Sequence, residues 1–89
     1  MAWKIEFDRD VVKDLKKISK PEQKKILKYL SQKIANLENP RSTGKALKGS
    51  LGGLWRYRVG NYRAICKIED KSITILILGI AHRKNVYKN

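Results

Sequence analysis

The chain has 89 residues, with 21 lysines and arginines against 8 aspartates and glutamates, so its formal net charge is +13 at pH 7. This length predicts a single domain, residues 1–89, and a hydrophobic share of 42% argues against a disordered basic tail. The longest apolar run, residues 73–80, is much shorter than the ~20 residues of a membrane-spanning helix. The short apolar run thus indicates no membrane association, and the balance of charge indicates an anionic partner.

The cysteine and histidine content restricts the chemistry further. A single cysteine, Cys66, cannot form a disulfide within the chain, and no apolar signal segment opens it, so we expect a cytoplasmic protein. The only histidine is His82, and the carboxylates are scattered along the sequence. Because these residues do not occur at metal-ligand spacing, we expect neither a metal nor a cofactor.

The first half of the chain predicts one strand and two helices. Residues 3–8 alternate between apolar and charged, which is typical of a half-buried strand. Apolar residues at helical spacing in 10–18 predict a short helix. Ser19 and Glu22 match a capping box, so a second helix begins there, and Pro40 requires it to end before residue 39. The two helices should form a hairpin.

The second half predicts a loop and three strands. Four of the six glycines lie in 41–53, which reads as a loop with a turn near residues 46–47. Strands follow at 54–59, 62–69 and 73–80, joined by turns at 60–61 and 70–71. The expected fold is therefore α+β: an N-terminal strand, a two-helix hairpin and a three-stranded antiparallel meander, with both helices on one face of an antiparallel sheet.

The hairpin turn at 60–61 sets the register of its two strands. It places Arg58 opposite Arg63 and Arg56 opposite Ile65. Alternation then divides the side chains into a helix-facing set (Trp55, Tyr57, Ala64, Cys66, Ile68) and an open-face set (Arg56, Arg58, Arg63, Lys67). Since like charges directly opposite each other are destabilising, this arrangement favours a polyanionic partner.

A two-residue turn at 70–71 would place Arg63 opposite Leu78. The same face would then carry Leu76, Ile80 and His82, and bring Arg83 and Tyr87 near the arginines. Arginine binds phosphate through its guanidinium fork but is a poor general base, so proton transfer would fall to His82, to Tyr87, or to a lysine with a lowered pKa such as Lys45 or Lys48. This set suits cleavage of RNA without a metal.

Structural interpretations of the same residues stay open. The lysines of the two helices suit a solvated face, and a single histidine or tyrosine near a chain end is more often structural than catalytic. The loop glycines Gly44 and Gly49 lack the lysine that a phosphate-binding loop requires, since Ser50 follows instead.

Three segments together resemble the RelE/ParE superfamily of bacterial and archaeal toxins. They are Leu47-Lys48-Gly49, residues 54–63 (LWRYRVGNYR), and His82-Arg83 with Val86-Tyr87. Chain length, basicity and element order agree with that superfamily over nearly the whole sequence. The resemblance implies the toxin of a type II toxin–antitoxin pair, with a RelE-like fold and an acidic, RelB-like antitoxin that wraps and blocks it. Alone the toxin is expected to be a monomer, and with antitoxin a hetero-oligomer.

The RelE branch implies a metal-independent endoribonuclease that cleaves mRNA in the ribosomal A site. Carried over by position, Arg63 stabilises the phosphate, Arg83 lies near the leaving group, and Tyr87 orients the nucleotide. Arg56 and Arg58 occupy positions where some relatives have lysine, which makes His82 the preferred acid or base. The expected catalytic set is Arg56, Arg58, Arg63, His82, Arg83 and Tyr87, and the expected RNA-binding set is Lys45, Lys48, Lys67 and Lys84.

Two other functions remain open at this point. ParE-like members share the fold and poison DNA gyrase without cutting RNA. A non-toxic, basic nucleic-acid-binding module would show steep salt dependence and no cleavage.

Overall fold

The computed structural model describes residues 2–82. They form five strands and two helices: β1 (Lys4–Phe7), α1 (Arg9–Lys16), α2 (Lys20–Lys28), β2 (Lys45–Ala46), β3 (Trp55–Val59), β4 (Tyr62–Glu69) and β5 (Thr74–His82). Helix α2 continues into a π-helical turn, Tyr29–Ile34, and short 3₁₀ turns lie at Pro40–Ser42, Gly49–Leu51 and Asp70–Ser72. The predicted α+β class, helical hairpin and three-stranded meander are confirmed.

The five strands form one sheet in the order β1-β5-β4-β3-β2. β1 runs parallel to β5, with Ile5 opposite Ile75, whereas the other pairs are antiparallel. The prediction of a wholly antiparallel sheet was therefore wrong, because alternation identifies a strand but does not give its direction. The chain enters β1 beside the helices, where the Trp3 amide donates to the carbonyl of Ala35 at 2.6 Å.

Both helices cover one face of the sheet and build the core there. Val11, Ile26, Leu30 and Ile34 are at most 1% exposed and pack against the inward side chains of β3, β4 and β5. The side chains of β1 on this face, Ile5 and Phe7, lie at the margin of the core. Across residues 2–82, no helix is both long enough and apolar enough to cross a membrane. Among the residues described, none forms a helix over the opposite face of the sheet.

The second helix differs from its prediction at its start and in the form of its last turns. Ser19 precedes α2, but its side chain makes no capping hydrogen bond, so the predicted capping box is not formed. The side-chain amide of Gln23 instead donates to the carbonyl of Ile18 at 2.6 Å. At the other end, the helix widens into the π-helical turn before the chain reaches Pro40. The predicted end before residue 39 is confirmed.

The predicted loop 41–53 contains a short edge strand. In β2, Lys45 pairs with Arg56 and Ala46 pairs with Trp55. Two residues are too few to show a strand alternation in sequence, which is why the prediction missed this strand. Its effect is to bring a lysine beside the arginines of β3.

Candidate RNA-binding face

The β3–β4 hairpin has the register that its turn predicts. Arg58 lies opposite Arg63, Arg56 lies opposite Ile65, and Gly60 adopts the positive φ of 59° that a two-residue turn favours. Tyr57, Ala64 and the other predicted inward residues face the helices. The three arginines therefore share the open face of the sheet, and this prediction is confirmed.

The segment before β2 is fastened to β3 by two aromatic side chains. The indole Nε1 of Trp55 donates to the carbonyl of Thr43 at 2.8 Å, and the buried Tyr57 hydroxyl donates to the carbonyl of Pro40. Because both aromatic residues also pack with the core, they tie residues 40–43 to the most buried part of the sheet. This anchoring leads the chain directly into β2 and fixes the backbone of Lys45 opposite Arg56.

Gly44 lies between the anchored segment and Lys45, and its position admits no side chain. Its φ is +84°, and an added Cβ would lie 2.5 Å from Trp55 Nε1 and would collide with the carbonyl oxygen of Arg56. Glycine is the residue that reaches this conformation without steric cost. Gly44 therefore permits the close approach of β2 to β3, a role that its place in the sequence does not reveal.

Four cations gather on the open face, and we call Lys45, Arg56, Arg58 and Arg63 the cationic cluster. Three of them, together with Gly44, line an open cleft of about 170 Å³. The salt bridges within residues 2–82 are Lys4–Glu6 and Arg41–Asp70, so no carboxylate of that part of the chain pairs with the cluster. Concentrated positive charge without internal compensation attracts anions.

Arg63 is partly buried on this face. Its Nε atom is buried and, within the described part of the chain, has no hydrogen-bond partner. A buried donor without an acceptor costs about 1–3 kcal/mol relative to a satisfied one. An anion that accepts from this guanidinium would remove that cost.

The register of β5 differs from the prediction and moves His82 to the other face. Glu69 pairs with Thr74, so the turn holds four residues where two were predicted. Because the difference is an even number, the residues of β5 as far as Leu76, which lies opposite Lys67, are on the predicted faces of the sheet. A bulge at Leu78 then adds one residue to β5. One extra residue exchanges the two faces of every residue beyond it.

Beyond the bulge, Arg63 pairs with Ala81 and not with Leu78, and Ile80 pairs with Ala64 in the core. His82 pairs with Tyr62, with which its ring makes an edge-to-face contact at 5.2 Å between centroids. The prediction that Ile80 and His82 share the arginine face was therefore wrong. His82 lies on the face that the helices cover, at the end of β5.

The remaining predicted site residues are distributed as follows. Lys67 lies on the open face, two residues beyond Ile65 along β4, and is exposed. Lys48 is exposed in the loop just before the Gly49–Leu51 turn and does not line the cleft. Arg83, Lys84 and Tyr87 lie outside the described residues. Within residues 2–82, no group of three or more histidine, cysteine or carboxylate side chains is placed to hold a metal ion.

The pKa values of two core groups and of one turn carboxylate are shifted. Burial raises the pKa of the Cys66 thiol to about 12 and also raises the pKa of Tyr57. Both groups are thus neutral at physiological pH and serve the core. At the β4–β5 turn, a bidentate hydrogen bond from Arg41, with both N–O distances 2.9 Å, lowers the pKa of Asp70.

Comparison with known proteins agrees with this architecture. The family model described as the ParE toxin of type II toxin–antitoxin systems matches residues 5–87. Toxin RelG of Mycobacterium tuberculosis is 26% identical over 88 residues, which is 99% of each chain. Toxin RelE of the same organism is 38% identical over 52 residues, which is 58% of this chain and 54% of that protein.

Solved structures give the same result. The toxin–antitoxin complex RelBE2 of M. tuberculosis contains a chain that superposes with a TM-score of 0.85 at 25% identity, covering 96% of this chain and 95% of that one. A RelE–RelB complex of Pyrococcus horikoshii matches with a TM-score of 0.67 at 26% identity, covering 97% and 100%. Since the family model spans nearly the whole sequence and the fold agrees, this chain belongs to the ParE toxin family within the RelE/ParE superfamily of type II toxin–antitoxin toxins.

Proposed function

We propose that this toxin is a metal-independent endoribonuclease that cleaves mRNA in the ribosomal A site. The observation that carries the proposal is the direct opposition of Arg58 and Arg63 on an open face, with Lys45 brought opposite Arg56 by the short strand β2. Such a cluster is unfavourable without an anion and favourable with one.

The cluster would act on the scissile phosphate. In the proposed reaction the 2′-oxygen bonds to phosphorus and the bond from phosphorus to the 5′-oxygen breaks, which leaves a 2′,3′-cyclic phosphate and a 5′-hydroxyl. Negative charge grows on the phosphoryl oxygens in the transition state. Fixed guanidinium groups that donate to those oxygens would stabilise it, which is the role we assign to Arg56, Arg58 and Arg63.

The reaction also requires two proton transfers. The departing 5′-oxygen needs a proton, and Lys45 is the lysine that lines the cleft beside the arginines, so we assign it this role. His82 and Tyr87 are the candidates for accepting the 2′-hydroxyl proton. For His82 this requires the RNA to reach around the end of β5, because the residue lies on the face opposite Arg63.

We also propose that a RelB-like antitoxin masks this face. The related RelE chains of M. tuberculosis, P. horikoshii and Methanococcus jannaschii are described in complexes with RelB. A net charge of +13 on this chain would favour an acidic antitoxin, with the toxin alone a monomer and the complex a hetero-oligomer.

A second candidate function is inhibition of DNA gyrase, as in ParE-like toxins. The matching family model, which is described as a ParE toxin, is the observation that favours it. A plain nucleic-acid-binding module is less consistent, because the family consists of toxins.

A direct comparison of targets tests the proposal. The purified toxin is added to a translation reaction and, separately, to a DNA gyrase supercoiling reaction. The proposal requires cleaved message and unaffected supercoiling. Intact message together with accumulating gyrase-linked DNA breaks would contradict the ribonuclease proposal and support the ParE-like function.

A further inference from the structure

A second basic surface lies on the helical side of the β3–β4 turn. It is an open groove of about 580 Å³ between the end of α2, the π-helical turn and the strand turn. Its cations are Lys25, Lys28, Lys33 and Arg58, and no carboxylate of the described chain lines it. We call this surface the helical groove. It is more than three times the volume of the cleft beside Lys45.

An aromatic ring lies among these cations. Tyr29 begins the π-helical turn and lines the groove, and the Nζ of Lys33 lies 5.4 Å from the centre of its ring. π-helical turns are rare and frequently occur at functional sites. Here the turn places an aromatic ring and a lysine together at the groove surface.

Arg58 belongs to both surfaces. It lines the cleft with Lys45 and Arg56, and it also lines the helical groove with Val59 and Gly60. The two basic surfaces therefore meet at one side chain at the edge of the sheet. A continuous anionic chain bound in the cleft would pass over Arg58 into the groove.

The lining favours a nucleic acid over an amphipathic protein helix. A helix in a groove needs a row of aliphatic contacts for its apolar positions. Among the eight residues that line the groove, Val59 is the one aliphatic side chain, and four of the others are cations. A π surface surrounded by lysines is instead typical of single-stranded nucleic-acid binding, in which bases stack and phosphates pair with cations.

The floor of the groove is also open at the strand turn. A side chain at Gly60 would meet only the flexible end of Lys25, 3.9 Å away. The glycine thus leaves room next to Arg58 for a ribose or phosphate. We propose that the helical groove binds single-stranded RNA that continues from the cleft, with Tyr29 stacking on a base and Lys25, Lys28 and Lys33 pairing with phosphates.

This inference rests on the proposed ribonuclease function, and a binding measurement separates the two. The probe is a short, labelled single-stranded 2′-O-methyl RNA, which lacks the free 2′-hydroxyl and is not cleaved. Fluorescence anisotropy gives its affinity at several salt concentrations. The groove variant is K25Q/K28Q/K33Q, and the matched control is K13Q/K16Q/K17Q, which removes the same charge from exposed lysines of α1 and its end.

The slope of log affinity against log salt should fall in magnitude by about 2 in the groove variant, because each phosphate contact on a single strand contributes about 0.7. The control should keep the wild-type slope. Tyr29→Leu should weaken binding several-fold while Tyr29→Phe retains it. Equal slopes for the two triple variants, or equal affinities for the two Tyr29 variants, would overturn the inference.

Cleavage in a translation reaction completes the test. If wild-type toxin cleaves message while the groove and control variants bind the probe equally, the inference fails and the ribonuclease function stands. If the groove variant alone loses probe binding but wild type cleaves nothing, the function fails and the groove remains an RNA site. If the groove variant binds RNA normally but loses its antitoxin, the groove is a protein interface and the inference is wrong.

Discussion

The two faces of the β3–β4 hairpin share one backbone but have opposite properties. On the helix-covered face, Tyr57 and Cys66 are fully buried, and burial holds their protons with raised pKa values. On the open face, Arg58 lies opposite Arg63 and neither is paired with a carboxylate within residues 2–82. Successive residues of a strand alternate between these environments.

Along each strand of the hairpin, residues that stabilise the fold therefore alternate with residues that are available for binding or catalysis. Buried side chains on the helix-covered face stabilise the fold, whereas the like charges concentrated on the open face repel one another and do not stabilise it. Substitutions on one face should therefore change unfolding, and substitutions on the other should change activity. The predictions below test that division, beginning with the largest expected effect.

Replacing the proposed proton donor should have the largest effect. Lys45→Met keeps the length of the side chain and removes its proton, so mRNA cleavage should slow by about 10²–10⁴-fold. Because Lys45 is exposed, the thermal unfolding midpoint should stay near that of wild type. Primer extension on message from a translation reaction gives the rate.

His82→Asn is the matched comparison, because His82 lies on the face away from the cluster. Its cleavage rate should be reduced less than that of Lys45→Met. A larger loss for His82→Asn would assign the critical proton transfer to the histidine and contradict the role of Lys45.

On the helical face, Ile77→Ala should destabilise the fold by about 2–5 kcal/mol. Ile77 is fully buried in the core, and the smaller side chain would leave a cavity. Urea denaturation followed by Trp fluorescence measures the loss. At a temperature where the variant is folded, its cleavage rate should equal that of wild type. A 100-fold slower rate would contradict the proposal that the helix-covered face serves stability and the open face serves cleavage.

Tyr57→Phe tests the anchor between the core and the segment before Gly44. Removal of the hydroxyl leaves the carbonyl of buried Pro40 without its donor, at a cost of about 1–3 kcal/mol. The change should appear as a lower urea midpoint with an unchanged slope. An unchanged midpoint would show that the hydroxyl contributes nothing to stability.

The exposed Arg41–Asp70 pair should give the smallest effect. Because Arg41 lowers the pKa of Asp70, the pair contributes stability above the ordinary carboxyl pKa of about 3.9 and loses it as pH falls through the lowered value. The difference between wild type and Asp70→Asn in thermal midpoint should thus be small at pH 7 and disappear in strong acid. A difference that grows on acidification would have the wrong sign.

The hairpin could be predicted from sequence because the residues that determine its register lie next to one another in the chain. Polar and apolar residues alternate cleanly in 55–59, and Gly60 and Asn61 define the turn, so the positions of Arg58 and Arg63 follow. The bulge in β5 could not be predicted in this way. Residues 73–80 are apolar at nearly every position, and either register buries apolar side chains.

Other features of the site depend on contacts between distant parts of the chain. β2 forms because Trp55 and Tyr57 hold residues 40–43 and Gly44 permits the approach. The π-helical turn that contributes Tyr29 and Lys33 to the helical groove has residues that fit an ordinary helical pattern in the sequence. The sequence was therefore sufficient to identify the arginines of the cationic cluster. It was not sufficient to place Lys45 beside them or to identify the helical groove.

Arg63→Ala tests the central claim most directly, since Arg63 is an arginine of the cluster that we assign to the transition state, and its Nε atom is buried without a partner within residues 2–82. Single-turnover cleavage of ribosome-bound message should fall by about 10²–10³-fold relative to wild type. The thermal unfolding midpoint should not fall, because the variant removes a buried donor that lacks a partner within residues 2–82. Cleavage at the wild-type rate by a folded Arg63→Ala toxin would contradict the assignment of the open face as the phosphate site.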